Sequence, residues 1–500
     1  MPLPTHKDAC LPVQRLLTRQ CCRMSHCEVL AFRHAPTVER LVNPPHEPGQ
    51  TSIEEGKSAL GVRVAFIFLS FAVAFGAAFS LLLPRIETQV WIQGYDWVHQ
   101  PAMEIWFESD PPMVHDSLID RTAEWQKPNR HPLFPYAGLF VIKLLCAAGI
   151  GESMAVCLTL AFGAGCASAL MALNLLLMVR DKLLCLLMQA LFLGSSSFLF
   201  WAGVCERFVI SSASILAVTA IAAISSDKRR LNYGAAVAAN VIAAAITITN
   251  WMFGLFLSVC FYRPRRIYAA LRDGFLIVTA LWFLQSLVVT PNEHFLMLDR
   301  WNQRFIFNPY AGDISDKVRA LVEHSIVIPK IHNYNFAVGD TIDATGLLGV
   351  QHSPSGSTGP VGLTLVIVWT FLLFVSSITW WRKREKTHFD RFILLGLAGQ
   401  LLLHMVYGTE LFLYGMHLAP LLILYVALGV NELRHFTRWA ALAVLCLFVP
   451  ALAWHNLSHL RTAEELFLER YQLNLQVDPA AGANLPTHTS LPTIRAQEQK

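Results

Sequence analysis

The chain has 500 residues, 54% of them hydrophobic and 15% charged, with a net charge of +4 and a mean hydropathy of +0.44. Soluble domains carry ~25% charged residues, so this composition excludes a soluble globular enzyme and a disordered chain. A nucleic-acid binder would concentrate a basic face that this near-neutral balance does not supply. What remains is an all-α, polytopic membrane protein, because a spanning helix needs ~20 apolar residues and such runs recur along the chain.

Residues 1–59 are rich in Pro, His and Arg without a sustained apolar run, and read as a disordered cytoplasmic tail. No apolar stretch follows the basic start, so the tail is not a signal peptide. Apolar runs then occupy 60–83, 133–150, 154–179, 183–202, 208–225, 234–262, 274–290, 361–381, 391–407, 411–430 and 439–457. They predict about 10–12 membrane segments, hence a membrane domain over 60–457 and a C-terminal tail over 458–500. Two long polar stretches, 84–132 and 291–360, interrupt the domain. Neither holds any of the 11 cysteines, so no disulfide framework is expected on them.

Orientation follows from Lys and Arg in short loops. Arg33, Arg40, Lys57 and Arg63, then Arg263, Arg265 and Arg266, then Arg382 to Lys386 all belong on the cytoplasmic side, with the N-terminus. Loop 84–132 is acidic and belongs outside, together with loop 291–360. If every run crosses once, the basic turns at Arg180–Lys182 and Asp227–Arg230 fall outside. Both move inside if 133–150 does not cross fully and 234–262 is a broken pair of half-helices around Thr247 to Asn250. That arrangement is preferred, and it places Glu206 and Arg207 on the outer side.

The first outer loop carries the densest chemistry. It reads Glu108-Ser109-Asp110-Pro111-Pro112, then Asp116, Asp120-Arg121 and Glu124-Trp125, then Arg130-His131-Pro132-Leu133-Phe134-Pro135. Residues 113–125 predict a short amphipathic helix with Met113, Leu118 and Ile119 inward and Asp116 and Asp120 on one outward face. A solvated acidic loop explains these carboxylates equally well. Pro132 and Pro135 stiffen the start of a helix and hold His131 at the interface. Elsewhere, Glu206-Arg207 and Glu410 lie beside apolar runs, where ionisable groups usually face a cavity. Tyr414 and His417, three apart, share a helix face. Asn250 reads as helix–helix glue, and Asp299-Arg300-Trp301 with Arg304 suits a sugar or phosphate contact.

The order of these parts resembles the GT-C class of polytopic glycosyltransferases, which includes protein O-mannosyltransferases and the aminoarabinose and galacturonic acid transferases. In that class a first membrane helix leads into an outer loop with an acidic motif, and a His-Pro-Pro-Leu-like start opens the next helix. Here Glu108-Ser109-Asp110 takes the place of the acidic motif and His131-Pro132-Leu133-Phe134 that of the start. Glu206 matches a later acidic position, and Phe412-Leu413-Tyr414 with Pro420 a late aromatic-proline segment. The usual Asp-Glu pair is absent, and Phe134 stands near the second proline of the start.

The resemblance implies transfer of a sugar from a polyprenyl-phosphate carrier to a glycan, lipid or protein acceptor on the outer (periplasmic or lumenal) face, in what is expected to be the inner (plasma) membrane. A phosphate leaving group needs no strong general acid, so one carboxylate base and cationic groups suffice. Asp110 is the expected base, with Asp116 or Asp120 in reserve. Arg121, Arg130 and Arg207 are the expected phosphate ligands, because Arg grips phosphate through two hydrogen bonds. Glu108, His131, Glu206, Tyr414 and His417 complete the expected substrate contacts. No metal site is readable, no cofactor is expected beyond the lipid-linked sugar itself, and nucleic acid is not an expected partner. Two other classes fit the layout: a transporter or flippase of lipid-linked sugars, and a non-catalytic polytopic partner.

Overall fold

The computed structural model describes residues 53–88, 107, 109, 111–123, 130–289, 305–338 and 341–477. Most of the N-terminal tail, Glu108, Asp110, Glu124-Trp125, the stretch 290–304 and residues 478–500 lie outside the described residues. The chain divides into two units, 1–60 and 61–500; the first contributes only the opening of helix α1 to the described residues.

Among the described residues the fold is helical, with one hairpin. The long helices are α1 (Ile53–Thr88), α4 (Glu152–Met178), α7 (Phe208–Asp227), α10 (Pro264–Ser286), α12 (Pro360–Arg382), α13 (His388–Val406), α14 (Gly415–Asn431) and α15 (His435–Val477). These supply eight spans long and apolar enough to cross a membrane, the α14 span including the 3-10 turn Leu411–Tyr414 that precedes it. Between them come α2 (Pro111–Ile119), α3 (Phe134–Ala147), α5 (Lys182–Gly194), α6 (Ser196–Trp201), α8 (Tyr233–Ile246), α9 (Trp251–Phe261) and α11 (Ile314–Val318). Strands β1 (His332–Val338) and β2 (Thr341–Gly349) pair antiparallel within the second polar stretch.

Side-chain caps set several helix starts. Asp181 accepts from the Leu183 and Leu184 amides at α5, and Asn232 accepts from Gly234 at α8. Thr387 and Asp390 form a capping box at α13. Polar starts of this kind fit connections that lie outside the hydrocarbon.

Pairwise contacts order the two ends of the bundle. Gly163 of α4 packs on Ile210 of α7, and further along Asn174 Nδ2 donates to the Leu216 carbonyl at 3.0 Å, so α4 and α7 run parallel. Ser168 Oγ of α4 donates to the Ser70 carbonyl of α1, whereas Cys157 reaches the Phe79 carbonyl, so α1 runs the opposite way. Asp181 pairs with Arg438 at 2.6 Å, Ser226 Oγ accepts from the Phe389 amide, and Tyr262 Oη donates to the Leu231 carbonyl. These contacts collect the turns at 180–182, 227–230, 262–266 and 382–390 at one end, which we call the basic end. The other is the site end.

Helix α3 starts beside Arg207, whose guanidinium lies 5.5 Å from the Phe134 ring centroid, and feeds through 148–151 into the start of α4. Both of its ends are therefore at the site end, and run 133–150 does not cross. Lys143, within it, is exposed and pairs with Glu152 at 3.4 Å. Run 234–262 is the broken pair α8–α9, bent at the 3-10 turn Ile248–Asn250. Both features match the arrangement the charges favour.

The boundaries shift in several places, beginning with α1, which already starts at Ile53 inside the stretch expected as tail. Helix α1 continues through Thr88, which takes Arg85 out of the loop and into the last turn. The loop helix ends at Ile119 rather than 125, because Asp120 closes an Asx turn on Thr122. The C-terminal stretch 458–477, expected as tail, continues α15. Its Ala, Leu, Glu and Arg residues favour helix, and the first proline comes at Pro479.

Candidate functional site

At the site end, three segments far apart in sequence converge on an aromatic cluster. Phe107 stacks on Phe200 with ring centroids 5.0 Å apart and meets Phe412 edge-on at 5.9 Å. Trp201 lies against Phe208 at 4.9 Å and donates its indole N–H to the Phe412 carbonyl at 3.2 Å. Phe107 is fully buried yet has φ +56°. That left-handed conformation is unfavourable for a bulky residue and persists where packing over-determines it. The aromatic contacts supply that determination. They fix the chain on one side of Glu108-Ser109-Asp110, and buried Pro111, the first residue of α2, fixes it on the other.

Arg207 occupies the N-cap position of α7, without a side-chain capping bond, and is buried. Its backbone N–H donates to Glu206 Oε2 at 3.0 Å, so the Glu206 carboxylate serves the start of this helix. Positive charge and free helix N–H groups together favour an anion at such a terminus. Helix α1 braces the same loop: Arg85 donates to the Gly203 carbonyl and pairs with Glu464 of α15. A side chain at Gly203 would collide with Arg85 and Leu81.

The His131 segment is clamped to the bend between α8 and α9. Leu133 N–H donates to the Ala245 carbonyl at 2.9 Å, Ile248 N–H to the Arg130 carbonyl at 2.9 Å, and His131 Nδ1 to the Ile246 carbonyl at 2.8 Å. The last carbonyls of a helix have no partner within it; the bonds from Leu133 and His131 satisfy two of them on α8, and the Arg130 carbonyl takes the Ile248 N–H at the bend. His131 is thus a helix cap through Nδ1. Arg130 lies over Phe305 at 5.4 Å, which joins the first polar stretch to the second.

The expected carboxylates separate. Asp110 and Glu108 lie outside the described residues. Asp116 is exposed, 3.5 Å from His115 Nδ1. Asp120 is exposed, and its carboxyl is held below the usual carboxylate range by the Thr122 N–H and hydroxyl. A carboxylate so engaged is a weaker proton acceptor. Arg121 is exposed beside it. Glu410 is buried and accepts from the Val350 N–H at 3.2 Å, tying the second polar stretch to the Leu411–Tyr414 turn.

Tyr414 and His417 come together as their spacing suggests, with ring centroids 6.1 Å apart. Two neighbours were not foreseen. His404 stacks on Tyr414 at 4.1 Å, and Gln400 lies 3.1 Å from His404 Nε2. A polar pair four apart inside the apolar run 391–407 was the available signal. No local pattern marks the packing roles of Arg85, Phe107 and Trp201, since these depend on long-range contacts. Among the described residues no group of three or more His, Cys, Asp or Glu side chains is placed to hold a metal ion.

The class that this fold defines is an integral, multi-pass α-helical membrane protein. No protein-family model matches the chain, and no curated protein matches it.

Proposed function

We propose that the protein is a membrane glycosyltransferase that moves a sugar from a polyprenyl-phosphate donor to an acceptor on the outer face. The observation that carries this reading is the convergence at one end of the bundle. Phe107 beside the acidic motif, Phe134 after His131, the 200–208 turn and the 412–417 turn all meet there. In this reading Arg207 and the α7 terminus take the donor phosphate as it leaves, and Asp110 accepts the proton of the attacking hydroxyl. The basic end faces the cytoplasm, as Lys and Arg placement favours, so the site faces outward.

The experiment is transfer from radiolabelled polyprenyl-phosphate sugars in membranes carrying each carboxylate variant. General-base catalysis is worth roughly 10²–10⁴-fold, so Asp110→Asn should lose about that much at normal protein level, with partial activity in Asp110→Glu. Asp120→Asn should stay near wild type, because Asn keeps the turn. A wild-type rate for Asp110→Asn would remove Asp110 as base, and Asp116→Asn is measured in parallel as the next candidate.

A further inference from the structure

About one turn below Arg207, four helices each bring a buried polar atom without a hydrogen-bond partner. The atoms are Ser212 Oγ on α7, Asn250 Oδ1 at the start of α9, Gln400 Nε2 on α13 and His417 Nε2 on α14. Ser212, Asn250 and Gln400 are wholly buried, and His417 is 2% exposed. They lie at a common depth. Gly396 of α13 packs on Phe253 of α9 and Leu421 of α14, and one turn toward the site end from that contact brings Gln400, Asn250 and His417. Asn250 Nδ2 donates to Ser211 Oγ at 2.8 Å, which puts α7 in the same layer, and Ser212 follows. His417 lies 6.2 Å from Phe208, and His404 links Gln400 to Tyr414.

One unpaired polar group in a core is an isolated cost. Here four stand at one depth on four helices, where a single ligand can reach them together. The set mixes donor and acceptor capacity: an amide N–H₂, an amide oxygen, a hydroxyl and an imidazole nitrogen. Among the described residues the layer contains no carboxylate, lysine or arginine, and Glu206 and Arg207 stand above it on α7.

We propose that this layer binds the uncharged, hydroxyl-bearing ring of the donor, so that the substrate is a neutral sugar rather than an aminosugar or a uronic acid. The proposal rests on the lipid-linked donor reading above. Ring hydroxyls both donate and accept, and match the unpaired atoms. A charged sugar would enter a layer with no counter-charge, at a desolvation cost that nothing there offsets.

The test is binding to the full-length protein in nanodiscs, with undecaprenyl-phosphate mannose, undecaprenyl-phosphate aminoarabinose and sugar-free undecaprenyl phosphate as probes. The mannosyl lipid should bind roughly tenfold or more tightly than the aminoarabinosyl lipid. Ser212→Ala and His417→Phe should each weaken the mannosyl lipid by roughly five- to tenfold, the scale of one hydrogen bond, and leave sugar-free lipid binding unchanged. Their unfolding temperatures should hold or rise, because each removes an unpaired buried group; a purely structural role predicts the opposite. Binding of all three lipids without preference, or variants that bind the mannosyl lipid like wild type, would overturn the neutral-sugar layer while leaving the donor reading standing. A wild-type protein that binds none of the three overturns both.

Discussion

At the scale of single residues, charge and geometry can be separated at Arg207. Its guanidinium packs on Phe134, and its backbone stands at a helix N-terminus. A lysine keeps the charge but loses the planar fork and most of the ring stacking. Arg207→Lys should therefore weaken use of the lipid donor by ~1–2 kcal/mol, visible as a higher donor concentration at half-maximal rate. An unchanged donor dependence would count against a phosphate contact. A second residue gives a pH signature. His324, after the π-helical turn Arg319–Glu323, has both ring nitrogens unpartnered, and burial holds its pKa down to about 3, with Arg319 adding to the effect. The unfolded imidazole binds its proton near pH 6.5 and the folded one does not. The contribution to stability is thus present above about pH 6.5 and declines as pH falls from there toward 3. Between pH 7 and pH 5 the loss is of order 2 kcal/mol. In His324→Gln that share of the acid sensitivity should vanish from unfolding midpoints measured in detergent.

At the scale of elements, the bend between α8 and α9 depends on a residue from a different loop. His131 caps the Ile246 carbonyl, so removing its donor leaves that carbonyl unpaired at the bend. His131→Leu should cost ~1–3 kcal/mol in stability. In His131→Asn the side-chain amide stands close to the position of Nδ1, so stability should largely return. If transfer stays low in the stable Asn variant, Nε2 has a role of its own; full recovery of transfer would confine His131 to the cap. The sequence pointed to this bend, because Thr247 and Asn250 interrupt an apolar run too long for one straight span. It did not reveal the partner. The bond from His131 to Ile246 spans 115 residues, and no local pattern encodes it. The same holds for Phe107, where an αL backbone is set by aromatics nearly 100 and 300 residues away. Asp116 and Asp120 were legible as one outward face, while the Asx turn that commits Asp120 became visible only in three dimensions.

At the scale of the whole molecule, charge placement resolved what apolar length left open. Counting runs gives one crossing each, yet gathering the basic turns at one end requires α3 to stay at the site end and α8–α9 to cross as a pair. The contacts at Asp181, Ser226 and Tyr262 show that gathering. Impermeant thiol labelling in intact cells can check its sidedness. After replacement of native cysteines, Arg121→Cys and Ser315→Cys should label and Glu385→Cys should not; all three positions are exposed. Labelling at Glu385→Cys alone would invert the orientation. The short pair has a further consequence for the surrounding lipid. With 14 and 11 residues, α8 and α9 rise only roughly 21 and 17 Å, against a hydrocarbon thickness of ~30 Å. Trp251, at the bend, is 39% exposed, and tryptophan settles at headgroup level. A segment shorter than the hydrocarbon favours local thinning of the bilayer or snorkelling of its flanking residues. In the lipid-linked donor reading, headgroups drawn down on this flank would give a carrier arriving from the side a shorter climb toward His131 and Arg207 than it would have past any of the full-length helices.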